Sequence, residues 1–273
     1  MNFSSSIITL SINSVFYFIF GQNSPALISH LSVQLDEPAG GARKCAAEMS
    51  AVHNLLIRGI NAIYLQAVNV AQRGTKKDKL DFSNFAWVWS EELKEHHNIE
   101  ETMIFPEINE LAGVPGLMDA NVDEHRMFHD GLESFRTYID KIRKEEEELD
   151  GEKLKEIIDS FMPVLRTHLE NEIDTLVSLD KYADKCDWGK WFAKKAGEVA
   201  SKHIHHASYR TDILPLVMVL HDKTFEGGVW ESFPPIPWIA AVAIRWVFVR
   251  TNLDWWRFSG CDTMSLPQEL PFA

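Results

Sequence analysis

Residues 95–106 read EHHNIEETMIFP, residues 124–129 read EHRMFH and residues 167–172 read THLENE. Each stretch carries a histidine followed four residues later by a second metal-competent side chain: His96 and Glu100, His125 and His129, His168 and Glu172. Four residues are slightly more than one helical turn, so each pair shares one face of a helix. A fourth histidine, His53, stands alone on an earlier segment.

Outward from these motifs the chain repeats the helical period. Met49, Val52, His53, Leu56, Ile60, Ile63 and Ala67 recur at three- and four-residue steps from about residue 41. The polar run RGTKKDK (73–79) ends that helix, and Asp81 or Ser83 is the expected cap of the next. Trp89, Leu93, His96, Glu100 and Met103 form its stripe, and Gly113, Pro115 and Gly116 mark the following turn. Val122, His125, His129, Leu132 and Tyr138 continue on a third helix. Leu154, Ile157, Phe161, Leu165, His168 and Glu172 lie on a fourth, after the charged run KIRKEEEELDGEK. Four amphipathic segments joined by short polar turns predict an all-α, up-down-up-down four-helix bundle over 41–182. No strand alternation or hairpin signal falls among them.

In each helix the polar residues extend an apolar stripe, and that placement is what points to a site. A buried imidazole or carboxylate is costly unless paired or bound to metal. One such residue is ordinarily a satisfied core histidine. Seven on four helices (His53, His96, Glu100, His125, His129, His168, Glu172) are hard to satisfy among themselves. Their heights agree as well. His53 lies about 18 residues before the end of its helix and His96 about 16 after the start of the next, a difference of about 3 Å along the axis.

Imidazole and carboxylate without thiolate suit iron, manganese or zinc. Seven ligands exceed what one zinc takes and suit two six-coordinate ions bridged by carboxylates. A ferritin-like centre uses Glu-x-x-His, and none of these histidines has a glutamate three residues before it. On helix two, His97 and Glu101 repeat the spacing of His96 and Glu100. The latter pair continues the Trp89–Leu93 stripe and is preferred; His97 stays open as an outer-sphere or exchangeable group.

The three motifs resemble the hemerythrin-like, or HHE cation-binding, family over about 45–180. The resemblance implies two iron ions, one held by His125, His129 and His168, the other by His53 and His96, with Glu100 and Glu172 bridging. It further implies an open position where O2 or a related small ligand binds. The oxygen carriers of the family end in His-x4-Asp, whereas this chain has His168-x3-Glu172, which separates it from them. Three roles follow: O2 or redox sensing, oxidase or peroxidase chemistry, and iron sequestration. Phe85, Phe128, Phe161, Leu56 and Leu165 as pocket walls favour binding over an enzyme.

The rest of the chain sets bounds. With 45% hydrophobic and 25% charged residues a real core is expected. The net charge of −13 argues against nucleic acid and anionic membranes. Cys45, Cys186 and Cys261 form neither a disulfide framework nor a CxxC knuckle, which favours a reducing, cytoplasmic setting. Residues 7–20, within an N-terminal extension over 1–40, are apolar but lack a basic n-region. They leave a secretory route as the alternative and are too short to span a bilayer. The extension over 183–273 carries five of the nine tryptophans in its last 44 residues. Its stretch FPPIPWIAAVAIRWVFV is expected to lie against the bundle, the extension being a candidate surface for a protein partner. It resembles the extensions of fungal members. The tract HIHH (203–206) is read as surface.

Overall fold

The computed structural model describes residues 41–273; the expectations for residues 1–40 lie outside them. The bundle is built from α1 (Ala42–Arg73), α2 (Lys76–Ile99), α4 (Asp119–Arg143) and α5 (Gly151–Ser178). A short α3 (Phe105–Ala112) continues α2 through a π-helical turn, Glu100–Ile104. Each long helix packs against the next in sequence, and α5 closes the ring on α1. Short connections allow nothing else: antiparallel neighbours are what brief turns between amphipathic helices produce.

Local chemistry sets the ends. Thr75, not Asp81 or Ser83, caps α2, in a reciprocal box with Asp78. The helix therefore begins at Lys76, ahead of both expected caps, because the polar run itself supplies the cap. Asp150 caps α5 by accepting from the Glu152 and Lys153 amides. Gly113, at φ 69°, ends α3 in the left-handed conformation ahead of Pro115. Between α1 and α2, Gly59 admits the Trp89 indole: a Cβ there would lie 2.3 Å from Trp89 Cδ1. Trp89 then donates from Nε1 to the Leu56 carbonyl at 2.9 Å.

The C-terminal segments wrap one side of the bundle. They comprise α6 (Trp188–His203), a second π-helical turn Tyr209–Ile213 leading into α7 (Leu214–Leu220), α8 (Trp238–Trp246) and a one-turn α9 (Leu253–Trp256). Gly41 and Gly189 cross where α6 meets α1, so closely that a Cβ on Gly41 would sit 2.2 Å from the Gly189 nitrogen. Glu107 on α3 accepts from Trp191 Nε1 at 2.8 Å and pairs with Lys195. The tail is pinned to the far end of α2 by Phe258 against Phe82 and by Arg257 on Asp78 and Asp81.

The apolar stretch around residue 240 departs from expectation. Instead of lying on the bundle, α8 packs mainly on α7 and the 3-10 turn Phe248–Asn252. It buries Ile244 and leaves Trp238, 74% exposed, and Ile239 at the surface. Arg245 hydrogen-bonds the Thr263 carbonyl and Ser265, which anchors the helix to the tail. No helix among the described residues is long and apolar enough to cross a membrane. The cysteines among them are free.

Candidate metal centre

The π-helical turn reshapes α2 at the site. An i→i+5 turn inserts an extra residue and shifts the phase of the helix face. Where that turn begins, His97 and Glu100 lie three residues apart on the buried face of α2, in line with Trp89 and Leu93, with His96 at its edge. Opposite stand His53 from α1, His125 from α4, and His168 and Glu172 from α5. Their donor atoms fall into two clusters sharing one carboxylate: His97, Glu100, His125 and His168, and His53, His96, Glu100 and Glu172. Within each cluster the donor atoms lie within 4.8 Å of one another.

The hydrogen bonds around these rings decide which nitrogens carry protons. His125 places Nδ1 at 2.7 Å from Glu101 Oε1, and His168 places Nδ1 at 3.1 Å from Glu124 Oε2. Glu124 is itself held by Asn171. His53 places Nδ1 at 3.0 Å from the Leu169 carbonyl. Ionised carboxylates and carbonyls only accept, so each Nδ1 bears the proton and each Nε2 presents a lone pair. Yet His125 Nε2 faces His168 Nε2 at 3.0 Å, and His53 Nε2 faces Glu172 Oε2 at 3.2 Å. Lone pairs aimed at one another across 3 Å repel unless a cation lies between them.

The carboxylates present the same conflict. Both oxygens of Glu100 and of Glu172 are buried without a hydrogen-bond partner among the described residues, as are Nε2 of His53, His96 and His97. Glu100 stands close to His96, with Oε1 2.9 Å from Nε2, and to His125, with Oε2 3.6 Å from Nε2. Burial, and then the neighbouring Glu172, push the Glu100 carboxyl well above its ordinary range; burial raises Glu172 too. The imidazoles move the other way. Burial holds His53 and His97 well below their usual range and takes His168 down to about 2. A neutral imidazole is the form that binds a metal ion. The donor set, all nitrogen and oxygen, fits iron, manganese or zinc, and the orphaned atoms fit a cation that gathers them.

The sequence matches the model of the hemerythrin HHE cation binding domain over residues 46–179. It is 31% identical over 230 residues to a protein named dimeric xanthone biosynthesis cluster protein R11, from Cryptosporiopsis sp. (strain 8999), covering 83% of this chain and 82% of that one. The chain belongs to the hemerythrin HHE cation-binding family. No solved structure matches it. The match to the relative is longer than the HHE domain, so the likeness takes in part of what flanks it.

Within this HHE domain six of the seven residues expected from sequence converge: His53, His96, Glu100, His125, His168 and Glu172. The seventh does not. His129 has its side chain 66% exposed, with Nδ1 3.2 Å from Asp130. The inward face of α4 runs through His125, Phe128, Leu132, Phe135, Ile139 and Ile142, all buried. His129 falls one residue past that line, where a helix has rotated about 100° away. His97 takes its place, its ring centroid 4.3 Å from that of His125. The doubled histidine was visible in sequence, and His97 stands four residues after Leu93 on the buried stripe of α2, with His96 beside it at the edge. Glu101 and Glu124, which orient His125 and His168, were likewise missed, although each precedes or follows a ligand motif by one residue. Of the expected pocket walls only Phe128 stacks near the rings, 5.1 Å from His97; Phe105 flanks His125 from the other side at 5.8 Å. Phe161 packs against Phe135 instead.

Proposed function

We propose that this HHE domain holds two iron ions and uses them to bind dioxygen or a related small ligand. His97, His125 and His168 would hold one ion, His53, His96 and Glu172 the other, with Glu100 shared. The observation that carries the reading is the 3.0 Å approach of two unprotonated imidazole nitrogens, each fixed by a carboxylate on its other side. Bound iron supplies a coordination position for a small ligand and a change of oxidation state to accompany it.

The protein's own residues prepare that chemistry. Glu101, Glu124 and the Leu169 carbonyl fix the tautomers and aim the lone pairs inward. Phe105 and Phe128 exclude water from the His125–His168 side. His96 and Glu100 face a cavity of about 180 Å³ beyond α2, the approach open to a small molecule.

That cavity favours a second reading, a di-iron oxidase acting on a small molecule. The relative's name, which places it in a biosynthetic cluster, points the same way. Anaerobic reduction followed by O2 addition under optical monitoring separates the two. A stable, reversible iron charge-transfer spectrum supports ligand binding; irreversible oxidation with peroxide consumption supports the oxidase. The absence of any iron spectrum overturns both.

A further inference from the structure

The C-terminal extension builds a chamber against the metal centre that the four bundle helices alone do not enclose. Where α6 and the π turn Tyr209–Ile213 lie over α2, they leave the cavity of about 180 Å³. His96 and Glu100 form one wall, and Phe192, Val199 and Ile213 form the facing apolar one. Glu92, one helical turn before His96, Glu95 and Tyr209 supply its other polar groups. A larger cavity of about 460 Å³ adjoins it on the outer side, and the two share Glu95, Tyr209 and Ile213 as lining. At that partition His203 Nε2 lies 3.4 Å from Glu95, and its ring centroid is 5.6 Å from that of Tyr209. The two spaces are neighbours, and each is partly open to solvent.

We propose that the inner cavity binds a neutral, single-ring hydroxylated aromatic molecule, a phenol. The ring would lie between Phe192, Val199 and Ile213, and its hydroxyl would donate to Glu92. The proposal rests on the reading of the centre for its purpose, though the binding itself needs no metal.

Size, polarity and charge each narrow the choice. An apolar protein cavity of about 150 Å³ accommodates benzene, so one ring fits and a fused ring system does not. No Lys or Arg among the described residues lines the space, so an anion such as benzoate would be buried there without a cationic partner. The mainly apolar lining repays little of the hydration that a cation would surrender. An acceptor set in an apolar wall selects a neutral molecule that donates one hydrogen bond. Burial supports this, since it lifts the Glu92 carboxyl to about 7 and the Tyr209 phenol to about 12, the latter helped by Glu92. Both groups are half-buried in the wall of the cavity.

The test is calorimetric titration of the full chain with phenol, toluene, benzoate and benzylamine, in iron-loaded and chelator-treated samples. Phenol is expected to bind once per chain in both, more tightly than either charged analogue. Val199→Phe, which fills the chamber, should weaken phenol and toluene alike by roughly tenfold or more. Glu92→Leu should weaken phenol by roughly tenfold and leave toluene unchanged, because it removes an acceptor but no space. Far-UV circular dichroism confirms that each variant folds. No saturable phenol binding, tighter binding of benzoate or benzylamine, or binding indifferent to both substitutions overturns the proposal. Phenol binding by a chain that takes up no iron would instead refute the reading of the centre alone.

Discussion

At the centre a few nitrogen atoms carry most of the argument. His125 and His168 are locked by Glu101 and Glu124 into tautomers that turn two lone pairs on each other. Removing Glu124 by Glu124→Ala should free His168 to rotate and lower metal affinity by about 10–100-fold, as loss of outer-sphere partners does; competitive chelator titration reads it. The geometry also separates two histidines that sequence spacing treats as equals or inverts. His97→Ala should lower bound metal per chain, whereas His129→Ala should leave it unchanged, measured by elemental analysis of the purified variants. His129 is the instructive miss. An i, i+4 spacing states that two side chains share a helix face but not which edge of the face meets the core, and Phe128 claimed the inward position.

Among the elements, the C-terminal end of α2 has the largest consequence. It seats His96, His97 and Glu100 at one centre, and the π turn that begins there continues the helix without a break and holds Glu101 within reach of His125. Periodicity made the four bundle helices and their order readable, because each buries a regular stripe. Periodicity does not say which of two adjacent histidines meets the core, since His96 stands three and His97 four residues after Leu93, and here His97 is the more deeply buried. The same limit applies to α8, whose composition reads as core although Trp238, Ile239, Val242 and Trp246 are exposed. Element packing is testable at Gly59. Gly59→Ala drives a methyl into the Trp89 indole and should destabilise the chain by about 1–3 kcal/mol in urea unfolding.

The extension offers a pH test. His221, capping α7, meets the Trp230 carbonyl at 3.0 Å through Nε2, and burial, aided by Arg58, lowers its pKa to about 4. The unfolded chain protonates this ring near pH 6.5 and the folded chain does not, so the folded state loses stability as pH falls from about 6.5 to about 4. The loss attributable to His221 is at most roughly 3 kcal/mol. His221→Gln, which can still donate to the carbonyl, should flatten that part of the stability profile relative to wild type.

In the whole molecule the centre ties α1, α2, α4 and α5 together at one level, while the extension braces α1 to α3 from outside. Ligands drawn from four helices exist as a set only in the folded chain, so metal binding adds directly to folding stability. Chelation should lower the melting temperature, by about 2–4 °C for each kcal/mol of binding lost, while helical content at 20 °C persists because the core of Phe82, Trp89, Phe135 and Phe161 remains. The measurement that bears most directly on the account is iron per chain, by elemental analysis of the full protein reconstituted anaerobically with ferrous ion. Two irons per chain, one for each cluster, is the predicted result; no iron, or a single zinc retained in its place, would contradict it.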